Sequence, residues 1–232
     1  MELLYWGNNG WGDEIFFASL VTIALAVCSY ALGLVLGLYI AMGKLYSNKI
    51  VKISLDGYTT VVRGIPELLV IYLLFFGGEN IITQIASVFG YDGFINLPPF
   101  LIGVLAIGFI SASYSAEVFR GSIKSVHKGQ MEAGLSLCLS KDKIFDKITL
   151  PQAIRIAIPS LGNIWQLTLK DTALISVTGL AEIMRISRVA TNSEREPFMF
   201  FIVAACIFLF LTSVSTKIQK IIEKKYNRSM VR

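Results

Sequence analysis

The chain has 232 residues, of which 54% are hydrophobic and 16% charged, against the roughly 25% charged residues of a soluble domain. That balance excludes an ordinary soluble protein. The net charge of +5 does not imply nucleic acid, because the basic residues fall in loops between apolar runs. Cys28 and Cys206 lie inside apolar runs and Cys138 in a basic loop, so all three read as free thiols.

A membrane-spanning helix needs about 20 mostly apolar residues, and five segments approach that: 15–43, 57–79, 94–118, 156–181 and 197–217. The first is longer than a signal-peptide core and follows acidic residues, so it reads as a retained helix. In the second, Pro66 starts or kinks the helix, Arg63 anchors at the cytoplasmic interface, Glu67 sits in the first turns and Glu79 closes it. The third carries the hydroxyls of Ser111, Ser113, Tyr114 and Ser115, which line a polar path or satisfy backbone groups.

The fourth, "NIWQLTLKDTALISVTGLAEI", places Lys170 and Asp171 at its centre. A charge there costs roughly 3 kcal/mol, so it faces a bundle interior or a wet cavity. Neighbours in a helix point about 100° apart and cannot form one tight pair. Two readings follow: a substrate path, or an internal ion-pair network in which Glu117, Arg63 or Glu67 meets Lys170. Asp171, Lys170, Glu117, Ser115 and Thr172 are the path candidates.

Basic residues orient the spans. Segments 44–63 and 119–155 and the tail after 217 are rich in Lys and Arg, including Arg228 and Arg232. The N-terminus has Glu2, Asp13 and Glu14, loop 80–93 has Asp92, and loop 182–196 balances its charges. The expectation is an all-α integral membrane protein of five transmembrane helices, with the N-terminus outside and the C-terminus cytoplasmic. Residues 1–232 form a single transmembrane domain with a long cytoplasmic loop at about 119–155.

Within that loop, Ala133, Leu135, Leu137, Leu139, Ile144, Phe145 and Ile148 give the apolar faces of two short helices joined by "LSKDK", with Pro151 opening the next helix. A loop lying on the membrane surface is the other reading. The stretch "EAGLSLCLSKDKIFDKITLP" resembles the EAA loop of ABC importer permeases: Glu132, Ala133, Ile148, Leu150 and Pro151 match in register, while Gly134 stands for an Ala and Cys138 for a Gly. "VVRGIPELLVIYLLFFG", "SYSAEVFRGSIKSVHKGQ", "LPQAIRIAIPSLGN" and "LKDTALISVTGLAEI" are similar to segments of the polar amino acid permeases. The resemblance spans nearly the whole chain and is closest to permease subunits of histidine, lysine/arginine/ornithine and opine importers.

The resemblance implies a type I ABC importer permease of the bacterial inner membrane. It would move a polar amino acid, basic ones foremost, or an opine, with a cytoplasmic ABC ATPase dimer and a periplasmic amino-acid-binding protein. It also implies that the loop docks on the ATPase, with Glu132 at the interface; without the resemblance, the favoured reading of Glu132 is the start or cap of a surface helix. Five helices are too few to enclose a path, so a second permease chain is expected, and the family favours a paralogue. The chain has no GxxxxGK[ST] loop and binds no cofactor itself, so ATP-Mg belongs to the partner ATPase. One histidine, His127, gives no metal set or catalytic triad, so no enzyme activity is expected. The alternative is a secondary transporter or channel using Lys170 and Asp171, which would more often show matching halves.

Overall fold

The computed structural model describes residues 2–7, 10–91, 93 and 97–227, and among them the regular structure is entirely helical. The calls on Asp92, Arg228 and Arg232 lie outside the described residues. Among the described residues, four helices are long and apolar enough to cross a membrane: α1 (Gly12–Tyr46), the run Glu67–Val88, α5 (Pro99–Ser125) and α10 (Pro197–Asn227).

α5 lies at the centre. α1 packs along it closely because Gly33 and Gly37 lack side chains: a Cβ would come within 2.5 Å of Ser111 Oγ at the first and 2.6 Å of Ser115 Cβ at the second. Small residues spaced by four bring membrane helices together in this way. α2 (Lys49–Gly64) packs on both α1 and α5, and its Tyr58 hydroxyl donates to the Phe109 carbonyl of α5 at 2.6 Å.

The segment 57–79 is not one helix, which corrects the sequence reading. α2 stops at Gly64, Ile65 is extended, and α3 (Glu67–Tyr72) begins after Pro66. The residue before a proline is driven out of the helical region, and the proline has no N–H to continue the ladder. A π turn at Leu73–Gly77 then leads into α4 (Gly78–Val88), and Val70, Ile71, Phe75 and Glu79 are buried along this run.

After α5 come the two expected short helices, α6 (Lys128–Ser136) and α7 (Lys141–Ile144), joined at residues 137–140; the turn expected over "LSKDK" comes earlier, because Lys141, Asp142 and Lys143 already belong to α7. A π turn, Phe145–Thr149, passes directly into α8 (Leu150–Asp171), with Pro151 in its first turn. The bounds of the span expected over 156–181, split at Lys170 and Asp171, are also corrected: the helix starts earlier, at Leu150, and the helical stretch ends at Thr178. α8 ends at Asp171, tightens into a 3-10 stretch (Thr172–Thr178), and turns at Gly179 with φ of 88°. Lys170 and Asp171 therefore stand at a change of helix type, and α8 is not among the four apolar spans.

α9 (Ile183–Glu194) ties the far ends together. Its Ile183 N–H donates to Thr22 Oγ1 of α1 at 3.3 Å, and Trp11 Nε1 donates to Glu194 Oε1 at 3.2 Å. Glu182 caps α9, its carboxylate accepting the Met184 and Arg185 amides at 3.0 and 2.7 Å. The side chain is fully buried, and burial lifts its pKa from 4.5 to about 7 despite those donors. The folded protein thus holds this proton more tightly than the unfolded chain, so its contribution is complete below pH 4.5 and falls as pH rises to about 7. Glu182→Gln should flatten that part of a melting-temperature profile in detergent; an unchanged slope would place the titration elsewhere.

Candidate functional site

The depth of the α8 terminus is fixed by Thr168, whose Oγ1 lies 3.3 Å from Ser111 Oγ near the middle of α5. Two interruptions meet at about this level: the Ile65–Pro66 break and the α8 terminus, which are joined by contacts between α3 and the 3-10 stretch. Around them lie Arg63, Glu67, Tyr114 and Asp171, so Arg63, at the last turn of α2, stands beside the middle of α5 and not at the cytoplasmic interface expected from the sequence. The Tyr114 hydroxyl donates to Glu67 Oε1 at 3.1 Å, and the Arg63 guanidinium sits 5.4 Å from the Tyr114 ring centroid. The charge of Asp171 acts on both Glu67 and Tyr114.

Arg63 is exposed and Glu67, Tyr114 and Asp171 are half-buried, so the cluster reaches the surface of the chain in part. Two carboxylates suit a cationic group. The Arg63 guanidinium suits an anionic one.

Lys170 is exposed, on a different face from Asp171. Glu117 is not its partner, which corrects one reading of the sequence. That carboxylate is held by Lys44 Nζ and by Arg120, whose Nε and Nη2 donate at 3.1 and 2.5 Å. Ser115 is fully buried where α1 packs on α5, and Thr172 is buried with its hydroxyl donating to the Leu169 carbonyl at 2.7 Å. Of the five path candidates, Lys170 is exposed and Asp171 half-buried.

Sequence reasoning missed the network around Lys44. Its buried ammonium bonds Thr59 Oγ1 at 2.7 Å and Asp56 at 2.7 Å in addition to Glu117, joining α1, α2 and α5. Lys44 closes an apolar run and so reads as an ordinary interfacial charge; only the i,i+3 spacing of Glu117 and Arg120 hinted at a cluster.

In the loop, His127 caps α6, its Nδ1 accepting the Gly129 amide at 3.1 Å. Glu132 and Ala133 are exposed on α6. Leu135 and Leu137 are 54% and 75% exposed, so they point outward and do not form the inner apolar face expected of them. Gly134 is buried: a Cβ there would lie 2.9 Å from Ile144 and 3.0 Å from Ile148, so the missing side chain lets α6 settle on the segment leading to Leu150 and Pro151.

Cys138 has φ of 55°. Its amide donates to the Leu135 carbonyl at 2.9 Å and the Leu139 amide to the Gly134 carbonyl at 3.1 Å, the paired bonds of a Schellman helix end. That turn needs a left-handed residue, which is the physical reason for glycine at this position. Cys138→Gly should raise the stability of the loop by about 1 kcal/mol, seen as slower hydrogen exchange over 128–139; faster exchange would refute the strain.

Residues 33–228 match the family described as "Binding-protein-dependent transport system inner membrane component". The chain is 42% identical to the octopine transport system permease protein OccQ of Rhizobium radiobacter, over 100% of this chain and 98% of that one. It is 45% identical to the nopaline transport system permease protein NocQ of Agrobacterium fabrum, over 99% and 98%. A crystal structure of an amino acid ABC transporter with histidines superposes with a TM-score of 0.81 at 29% identity, covering 93% of this chain and 95% of its counterpart.

Proposed function

Because the chain belongs to the binding-protein-dependent transport system inner membrane components, permease subunits of ABC importers, we propose that it carries a cationic amino acid or an opine across the bacterial inner membrane. The observation that supports this reading most directly is the partly exposed cluster of Glu67, Tyr114, Arg63 and Asp171 at the level of two helix interruptions. Non-helical backbone at membrane depth is tolerated where it lines a cavity, and transporters place their substrates at such breaks. In this reading the cationic end of the substrate meets Glu67 and Asp171, and its carboxylate meets Arg63. OccQ and NocQ are permeases for opines, which fits a site of mixed charge.

The whole chain, 1–232, acts as one transmembrane permease domain. α8 and the 3-10 stretch together make the fifth crossing, the N-terminus lies outside, and the C-terminus is cytoplasmic. The loop over about 119–155 then faces the cytoplasm, where exposed Glu132 docks on an ABC ATPase that binds ATP-Mg. This chain holds no cofactor and performs no hydrolysis. Around it stand a second permease, a paralogue in this reading, and a periplasmic amino-acid-binding protein. ATP-driven closure biases the assembly between its inward- and outward-facing states.

Two measurements test this. In proteoliposomes with the complete assembly, Glu67→Gln and Asp171→Asn should each raise the KM for a cationic substrate about tenfold, the effect of roughly 1.4 kcal/mol. Uptake driven by an ion gradient without ATP would instead establish a secondary carrier. Separately, Glu132→Arg should abolish co-purification of the ATPase while leaving the folded permease in the membrane. Undiminished ATPase recovery would remove Glu132 from the interface.

A further inference from the structure

A groove of about 320 Å³ runs between α8 and α10, walled by Tyr30, Ile158, Gly162, Trp165, Ile218 and Ile222. Tyr30 of α1 closes its upper end: the hydroxyl donates to the Leu161 carbonyl at 2.9 Å, and the ring meets Trp165 edge-on with centroids 5.4 Å apart. Gly162 lets the two helices approach. A Cβ there would come within 2.2 Å of Gln219 Cδ, and Gln219 Nε2 donates to the Pro159 carbonyl at 3.3 Å.

The depth of the groove follows from Thr168, which lies level with Ser111 near the middle of α5. From Thr168, Arg155 is about 20 Å back along α8 at 1.5 Å per residue, and half of a hydrocarbon core is about 15 Å. The groove therefore occupies one leaflet, and Arg155 reaches the headgroup level. Arg155 precedes Ile158 by three residues and Gly162 by seven, and Lys225 and Tyr226 follow Ile222 by three and four, so all three continue the groove faces of their helices. α10 is the least buried of the four apolar spans. Its exposed large residues Phe198, Leu209, Phe210 and Val214 are apolar, and Lys217, Lys220, Lys224 and Lys225 then follow. Against them stands Glu223, which accepts from Gln219 Nε2 at 2.9 Å. A helix that changes from apolar to basic in this way passes from acyl tails to headgroups.

We propose that this groove holds an acyl chain of an anionic phospholipid from the cytoplasmic leaflet, with the headgroup phosphate at Arg155 and Lys225. An apolar slot one leaflet deep with cations at its mouth matches that lipid in shape and charge. The placement in the cytoplasmic leaflet rests on the cytoplasmic C-terminus of the reading above.

The test uses the complete assembly in phosphatidylcholine vesicles and the fluorescence of Trp165, taken as the emission lost in a Trp165→Phe control. Brominated phosphatidylglycerol or brominated phosphatidylcholine is mixed in, since bromine quenches an indole at close range. Half-quenching should need about fivefold less of the brominated phosphatidylglycerol, the enrichment given by one basic residue at a membrane surface. Arg155→Gln with Lys225→Gln should make the two lipids equal while quenching by phosphatidylcholine stays as in the wild type. Arg155→Lys with Lys225→Arg should keep the preference. Equal quenching in the wild type, or a preference that survives the Gln pair, would overturn the proposal. Absence of quenching by either lipid would mean that protein covers the groove, and would overturn it too. A protease site appended to the C-terminus tests the orientation separately. Cleavage in inside-out vesicles alone upholds it, whereas cleavage from the periplasmic side alone removes that reading and the cytoplasmic-leaflet site with it, whatever the quenching.

Discussion

The close approach of α1 and α5 is the constraint on which the other contacts depend. With Gly33 and Gly37 facing Ser111 and Ser115, the two backbones run side by side for most of their length. At one end this sets Lys44 against Glu117, and at the other it sets Thr22 under the start of α9. A side chain at either glycine would push α1 outward and loosen both ends together. Little apolar driving force acts between helices in lipid, so this contact geometry carries much of the specificity of the bundle.

The ionisable groups divide into sets with different physical requirements. Near one end of α5, Lys44, Asp56, Glu117 and Arg120 satisfy one another, so their cost is met within the chain. At mid-depth, Glu67 and Asp171 are carboxylates close enough to act on each other, an arrangement favoured when a cation lies between them. Separating the paired set from the unpaired one by geometry is what distinguishes scaffold from candidate site.

Much of this was legible from residue order. Apolar length located α1, α5 and α10, and Pro66 marked a helix start. The two short helices of the loop followed from the pattern around "LSKDK". The unusual charge at Lys170 and Asp171 drew attention to the point where α8 changes helix type. Three features escaped, each for a physical reason. The spacing Gly33–Gly37 reveals a close contact only once the facing helix is known. A hydropathy window averages across the Ile65–Pro66 break because both sides are apolar. Hydroxyls at Ser115 and Thr172 look alike in sequence whether they face a cavity or a neighbouring helix, and here both are turned inward.

The π turn at Leu73–Gly77 has a consequence for the alignment of this segment with any other sequence. A π turn inserts one residue into the helical count, so Ile71, Phe75 and Glu79 stay on one buried face at intervals of four, where an ordinary helix would carry the last of them partly around the axis. Removing a single residue from this turn would rotate everything beyond it by about 100° while leaving composition and hydropathy nearly unchanged. Length between Glu67 and Glu79 is therefore a phase variable, and a relative that differs by one residue there would present a different outer wall from an almost identical sequence.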